Sequence, residues 1–139
     1  MKHMLIMRAT QAAIDASKEM DFEQILNEMG AYNEQLMQAG VMVAGEGLAD
    51  EPGYLVEFGG ETPVVSDGPY GEVHELFNGF WILQTATAEE AVEWAKRCPL
   101  GPGSTLEVRR VHDENDLAEF ADNEYIKKEA GWREELGTD

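Results

Sequence analysis

The sequence predicts an α+β fold: one antiparallel sheet with two helices on one of its faces. Three observations carry this. Two runs, Met4 to Met7 and the middle of Gly79 to Thr85, are apolar on both faces, as central strands covered on each side are. Two stretches, opening at Asp21 and Thr87, repeat their apolar residues at helical spacing. Between the two halves, Tyr54 to Phe58 alternates, Gly59-Gly60 turns, and Val64-Val65 returns, which is a β-hairpin pattern.

The elements follow in order. Met4 to Met7 is a strand that Arg8 ends, and residues 9 to 20 are a loop with a short helical piece. Asp21 opens a helix whose stripe is Phe22, Ile25, Leu26, Met29, Leu36 and Met37. Gly40 closes it as a C-terminal cap, and Tyr32 sits in its second half as a rim aromatic. Val41 to Gly45 is the second strand, and the hairpin follows. Tyr70 to Asn78 is expected to be an exposed helical turn. Gly79 to Thr85 is a strand. Thr87 with Glu90 three residues on is a capping box, and its helix buries Ala91, Trp94, Ala95 and Cys98. Leu106 to Val111 alternates in a last strand. The segment 112–139 is acidic and partly helical, an extension to an α+β domain over 1–111. Its aromatics suit packing on the body or on a partner subunit.

Composition narrows the function classes. A chain of 139 residues is expected to form one domain. Twenty-eight acidic residues against ten basic ones give a net charge of −18, which repels phosphate backbones and anionic lipid. Nucleic-acid and membrane partners are therefore not expected. Cys98 is alone, so no intramolecular disulfide is possible. The first apolar run is too short for a signal peptide, and no stretch approaches the ~18 apolar residues of a membrane span. The chain is expected to be soluble and cytoplasmic.

Chemistry concentrates at Val64-Val65-Ser66-Asp67-Gly68-Pro69-Tyr70. Pro69 has no N–H for a ladder, so the strand is expected to stop near Ser66, with Asp67 at its end. There the carboxylate can cap nearby backbone N–H groups or serve as a general acid or base at the rim of a sheet. Glu46, between two glycines, sits where a ligand could approach the backbone or where an ordinary loop follows a strand. Glu72, His74 and Glu75 lie close together without a recognised ligand spacing, so no metal site is assigned. No phosphate-binding glycine loop occurs, Gly45-x-Gly47 is too short a match for a dinucleotide fingerprint, and no cofactor is implied.

Strand, helix, strand, hairpin, strand, helix, strand is the order of a ferredoxin-like sheet. Such a sheet leaves one face bare, and a second copy stacked sheet on sheet would cover it. Asp67-Gly68-Pro69-Tyr70 resembles the signature of the DGPF group of YCII-related proteins, whose last position is usually Phe. The likeness continues through Met29 to Glu34, Ala39 to Val41, Gly45 to Leu48, Gly79 to Trp81, Ala91 to Pro99 and Glu107 to Arg109. The resemblance implies a dimeric α+β barrel. Related proteins include a chloromuconolactone dehalogenase, and the broader fold hosts muconolactone isomerases and monooxygenases. A His–Asp pair is proposed as catalytic in YCII-type proteins. Asp67 matches the Asp, whereas residues 9–39 hold no histidine to match the His, which leaves His3 and His74 as substitutes.

Two functions follow from these residues. One is a lyase, isomerase or dehalogenase-like enzyme for a small organic acid or lactone. Asp67 would be its acid/base, Arg8 or Arg109 would hold a carboxylate, and Tyr32, Glu46 and Trp81 would line the pocket. The other is a non-catalytic dimeric module binding a ligand or a protein. Genes of the group often lie beside sigma-factor genes, which implies a regulatory role for it.

Overall fold

The computed structural model describes residues 1–68 and 74–138. It is a mixed α/β structure with an antiparallel sheet. β1 (Lys2–Ala9), β2 (Met42–Gly47), β5 (Leu76–Gln84) and β6 (Ser104–Arg110) form a four-stranded sheet in the order β2-β5-β1-β6. Every pairing in it is antiparallel. β3 (Gly53–Glu57) and β4 (Val64–Gly68) form a separate two-stranded hairpin between β2 and β5.

α1 (Gln11–Lys18), capped by Thr10, is the short helical piece expected within residues 9 to 20. α2 (Phe22–Gln38) begins where Asp21 accepts from the Glu23 N–H, and Gly40 follows it at φ +71°. Only part of the expected stripe meets the sheet. Ile25, Met29, Tyr32 and Leu36 lie on the packed side, while Phe22, Leu26 and Met37 are exposed. The apolar arc of α2 is wider than the contact a single sheet offers. Tyr32 is therefore a core residue, 3% exposed, and not a rim aromatic.

α3 (Ala88–Lys96) is capped as expected on one side: Glu90 N–H donates to Thr87 Oγ1 at 3.1 Å. The reciprocal bond comes from the Ala86 N–H to Glu90 Oε2, at 3.0 Å. Ala91 is buried, and Trp94, Ala95 and Cys98 are half-buried. α2 and α3 share one face of the sheet, because residues of both pack on the cluster of Leu5, Trp81 and Leu83. Burial pushes the Cys98 thiol up to about 12, so at neutral pH it is an inert, packed thiol.

Two expectations fail locally. β4 runs to Gly68, which pairs with Gly53, so Asp67 lies inside a strand and faces Tyr54 across the ladder. A residue before proline is driven into extended backbone, which suits a strand; the missing N–H belongs to Pro69, one position later. Leu76 to Asn78 belongs to β5, and His74 and Glu75 before it form a bend, not a helical turn; residues 70–73 of that expected turn, Glu72 among them, lie outside the described residues.

After β6 a 3-10 segment (Glu114–Phe120) leads to α4 (Glu124–Leu136). Arg110 holds Asp116 through two bonds of 2.6 and 2.8 Å. That guanidinium pulls the Asp116 carboxyl down to about 2. Lys2 Nζ donates to the Thr138 carbonyl and ties the end of the chain to β1. Phe120, Tyr125 and Trp132 remain exposed. No helix among the described residues is long and apolar enough to cross a membrane.

Candidate functional site

Strand alternation gives the sheet two unlike faces. On the helix side lie His3, Leu5, Trp81, Leu83 and Val108. The other face carries two rows that cross all four strands. One row is Glu46, Phe80, Ile6 and Glu107; the next is Ala44, Ile82, Met4 and Arg109. The middle of this open face is apolar and its ends are charged.

Arg8 sits at the edge of these rows, beside a β-bulge at Met7/Arg8 that pairs it with Phe77. Its guanidinium is shared between two acids: Nε lies 3.4 Å from Glu75 Oε2, and Nη2 lies 3.6 Å from Glu107 Oε2. Arg109 Nε reaches the other oxygen of Glu107 at 3.9 Å. Good charge-assisted bonds are about 2.7–2.9 Å, so these contacts are loose. Partly exposed pairs of this kind are worth about 0–1 kcal/mol each. Arg8 Nε is buried and makes no hydrogen bond among the described residues. The side chain as a whole is 38% exposed, so its outer N–H groups, not the buried Nε, are the donors an incoming carboxylate could meet, over an apolar floor. A small organic acid could lie there with its carboxylate on Arg8 and its carbon skeleton on Ile6 and Phe80.

The six residues singled out in the sequence fall in three places. Arg8, Glu46 and Arg109 share the open face. Tyr32 and Trp81 lie on the opposite side of the sheet, in the core. Tyr32 Oη donates to the Trp94 carbonyl at 2.8 Å, Trp81 Nε1 donates to Asn33 Oδ1 at 2.8 Å, and the rings meet edge to face with centroids 5.6 Å apart. Burial pushes the Tyr32 phenol well above its ordinary value. Gly45 is directly opposite Trp81, and a Cβ there would lie 2.8 Å from the indole. Its glycine makes room for a tryptophan, which is a packing reason for Gly45. Asp67 is exposed on the hairpin.

Sequence reasoning weighed Glu75 only as a metal ligand and did not place Glu75, Glu107 or Phe80 at this face. Glu107 was within reach of it, since a residue two positions before Arg109 on a strand shares its face. Neither substitute histidine stands in an evident pair with Asp67. His74 is exposed and His3 is 3% exposed on the helix side. Burial, the N-terminal amine and Arg110 hold the His3 imidazole below its ordinary 6.5, opposed by Glu89. The folded chain thus resists a proton that the unfolded chain accepts. Stability is full above pH 6.5 and falls as pH drops below it, levelling once the folded imidazole also protonates. Denaturant midpoints measured from pH 8 to 5 should decline below 6.5, and His3→Gln should flatten that part of the curve.

Among the described residues no group of three or more His, Cys, Asp or Glu is placed to hold a metal ion. A cleft of about 490 Å³ lies at the far end of β1, between the sheet and the tail, lined by Lys2, Gln84, Val111, Leu117, Ile126 and Arg133 among others. Lys2 and Arg8 are six residues apart on β1, roughly 20 Å in a strand, so this cleft is distinct from the Arg8 rim.

No curated protein shows significant similarity to the chain. A family model described as the YCII-related domain matches residues 1–115. That span takes in the whole four-stranded sheet, both packing helices and the hairpin, and the chain belongs to the YCII-related family.

Proposed function

We propose that the open face of the sheet is the working surface of a cytoplasmic homodimer, and that it binds a small organic acid or lactone at the Arg8 rim. In this reading two ferredoxin-like sheets stack into an α+β barrel, and the apolar rows become its interior. The observation that carries it is Arg8: a guanidinium shared loosely by Glu75 and Glu107 beside an apolar floor, in a chain of net charge −18. Such a chain repels organic acids except where a cation is held for them. Arg109 is a second cation on the same face, and Glu46 closes the other end of the Ile6 row. Asp67 is the acid/base of this reading. Tyr32 and Trp81 support the site from behind the sheet rather than touch a ligand.

The test is a panel of small carboxylic acids and lactones, followed by calorimetry for binding and by chromatography for turnover. A ligand that binds wild type should bind Arg8→Gln at least 10-fold more weakly. Asp67→Asn should lower turnover by ~10²–10⁴ with binding retained. Equal affinity in Arg8→Gln would remove the rim from the proposal.

The exposure of Asp67 favours a second reading, a non-catalytic dimeric module that binds a ligand or a protein, with a regulatory role. It expects Arg8→Gln to weaken binding and Asp67→Asn to change nothing.

A further inference from the structure

We propose that the β3–β4 hairpin is an arm that docks on a second copy of the chain and brings Asp67 to the partner's open-face rim. The proposal rests on the stacked-sheet dimer.

Among the described residues of one chain, little holds the hairpin to the body. It shares no ladder with the main sheet, and its packing against the body is marginal. Tyr54 is 78% exposed and Phe58 81%, and Leu55, Val56, Val64 and Val65 are exposed as well. An isolated two-stranded hairpin is marginally stable in water and needs a third strand or a packed face. Exposed apolar area of this kind, on both sides of one element, marks an interaction surface.

Two observations point to a second copy as the occupant. The first is area. Four strands spaced ~4.8 Å and about seven residues long present roughly 450 Å² of open face per copy. A standard stable interface takes about 800 Å² from each partner. One face of the hairpin, and the seat for the partner's hairpin, would together add about 330 Å². The sheet alone falls below the standard range of about 600–1,000 Å² per partner, and the sheet with its arm, at roughly 780 Å², comes within it. The second is charge. Five of the other cations, Lys18, Lys96, Arg110, Lys128 and Arg133, are held at 2.5–2.9 Å by acids of their own chain, and Arg97 lies over the Trp94 ring. Arg8 and Arg109 are held loosely on the open face, with Arg109 the more exposed. Asp67 makes no ion pair or hydrogen bond to either within its own chain. An acid carried on an apolar arm finds its complement on that face of the other copy. The acid/base and the carboxylate-holding cation of one site would then come from different subunits.

The experiment places a benzophenone photo-cross-linker at Tyr54, which faces Asp67 across the ladder, and, in a second variant, at Phe58. Both positions are exposed, so the full chain should fold with either. Sedimentation equilibrium of the unmodified protein runs beside them. Irradiation should give a covalent dimer on a denaturing gel, and its cross-linked peptide should contain β1, β5 or β6. A dimer by sedimentation whose cross-links are absent, internal, or directed to the helices overturns the arm and leaves the stacked sheets standing. A monomer by sedimentation overturns both.

Discussion

Trp81→Ala should cost about 3–5 kcal/mol of stability. The indole is 6% exposed and packs with Leu5, Tyr32, Leu36, Val41 and Leu83. Its removal leaves a cavity that Gly45, the residue opposite it on β2, has no side chain to fill. It also strips Asn33 Oδ1 of its donor and Tyr32 of its edge-to-face neighbour. Against a typical total of about 5–15 kcal/mol for a domain, that loss leaves a chain near the edge of folding. Urea unfolding followed by far-UV circular dichroism measures it. Trp81→Phe should recover most of the packing and still lack the bond to Asn33. A loss under about 1 kcal/mol for the alanine variant would mean that α2 does not rest on β5.

Ile6→Asp should turn the proposed dimer into a folded monomer. Ile6 lies between Phe80 and Glu107 in the middle of the open face. In a single chain that position is only half-buried, so water can solvate an aspartate there and the fold should hold. In stacked sheets the same carboxylate would be buried beside Glu107, and drawing Arg8 or Arg109 to it would take that cation from Glu107, leaving one of the two acids uncompensated. An uncompensated buried charge costs several kcal/mol, so dimer affinity should fall by roughly 10³-fold. Sedimentation equilibrium reads the association, and circular dichroism checks that the fold is kept. A variant that dimerises as tightly as wild type would place the interface elsewhere, and the Arg8 rim would then face solvent.

The sequence by itself determined the elements and most of their ends. Period-two and period-3.6 patterns are local properties, so Met4 to Met7, the Asp21 helix, the hairpin and the Thr87 cap were all legible in it. So was the family, because its motifs are spread through residues 1–111 in order. The Asp67 strand end was misread by one physical step: proline removes its own N–H, not that of the residue before it, and the glycine in between extends the strand. The tertiary structure alone decided which residues meet. In the sequence Tyr32 and Trp81 read as residues lining the pocket. Their polar groups are instead satisfied by the Trp94 carbonyl and by Asn33, within the core. Arg8, Glu46 and the Glu107–Arg109 pair lie far apart in the chain, and only the register of β1, β2, β5 and β6 lays them on one face. Register is a non-local quantity, set by which strands pair and where a bulge falls. A linear pattern carries the period of each strand but not the alignment between them, and the site is made by that alignment.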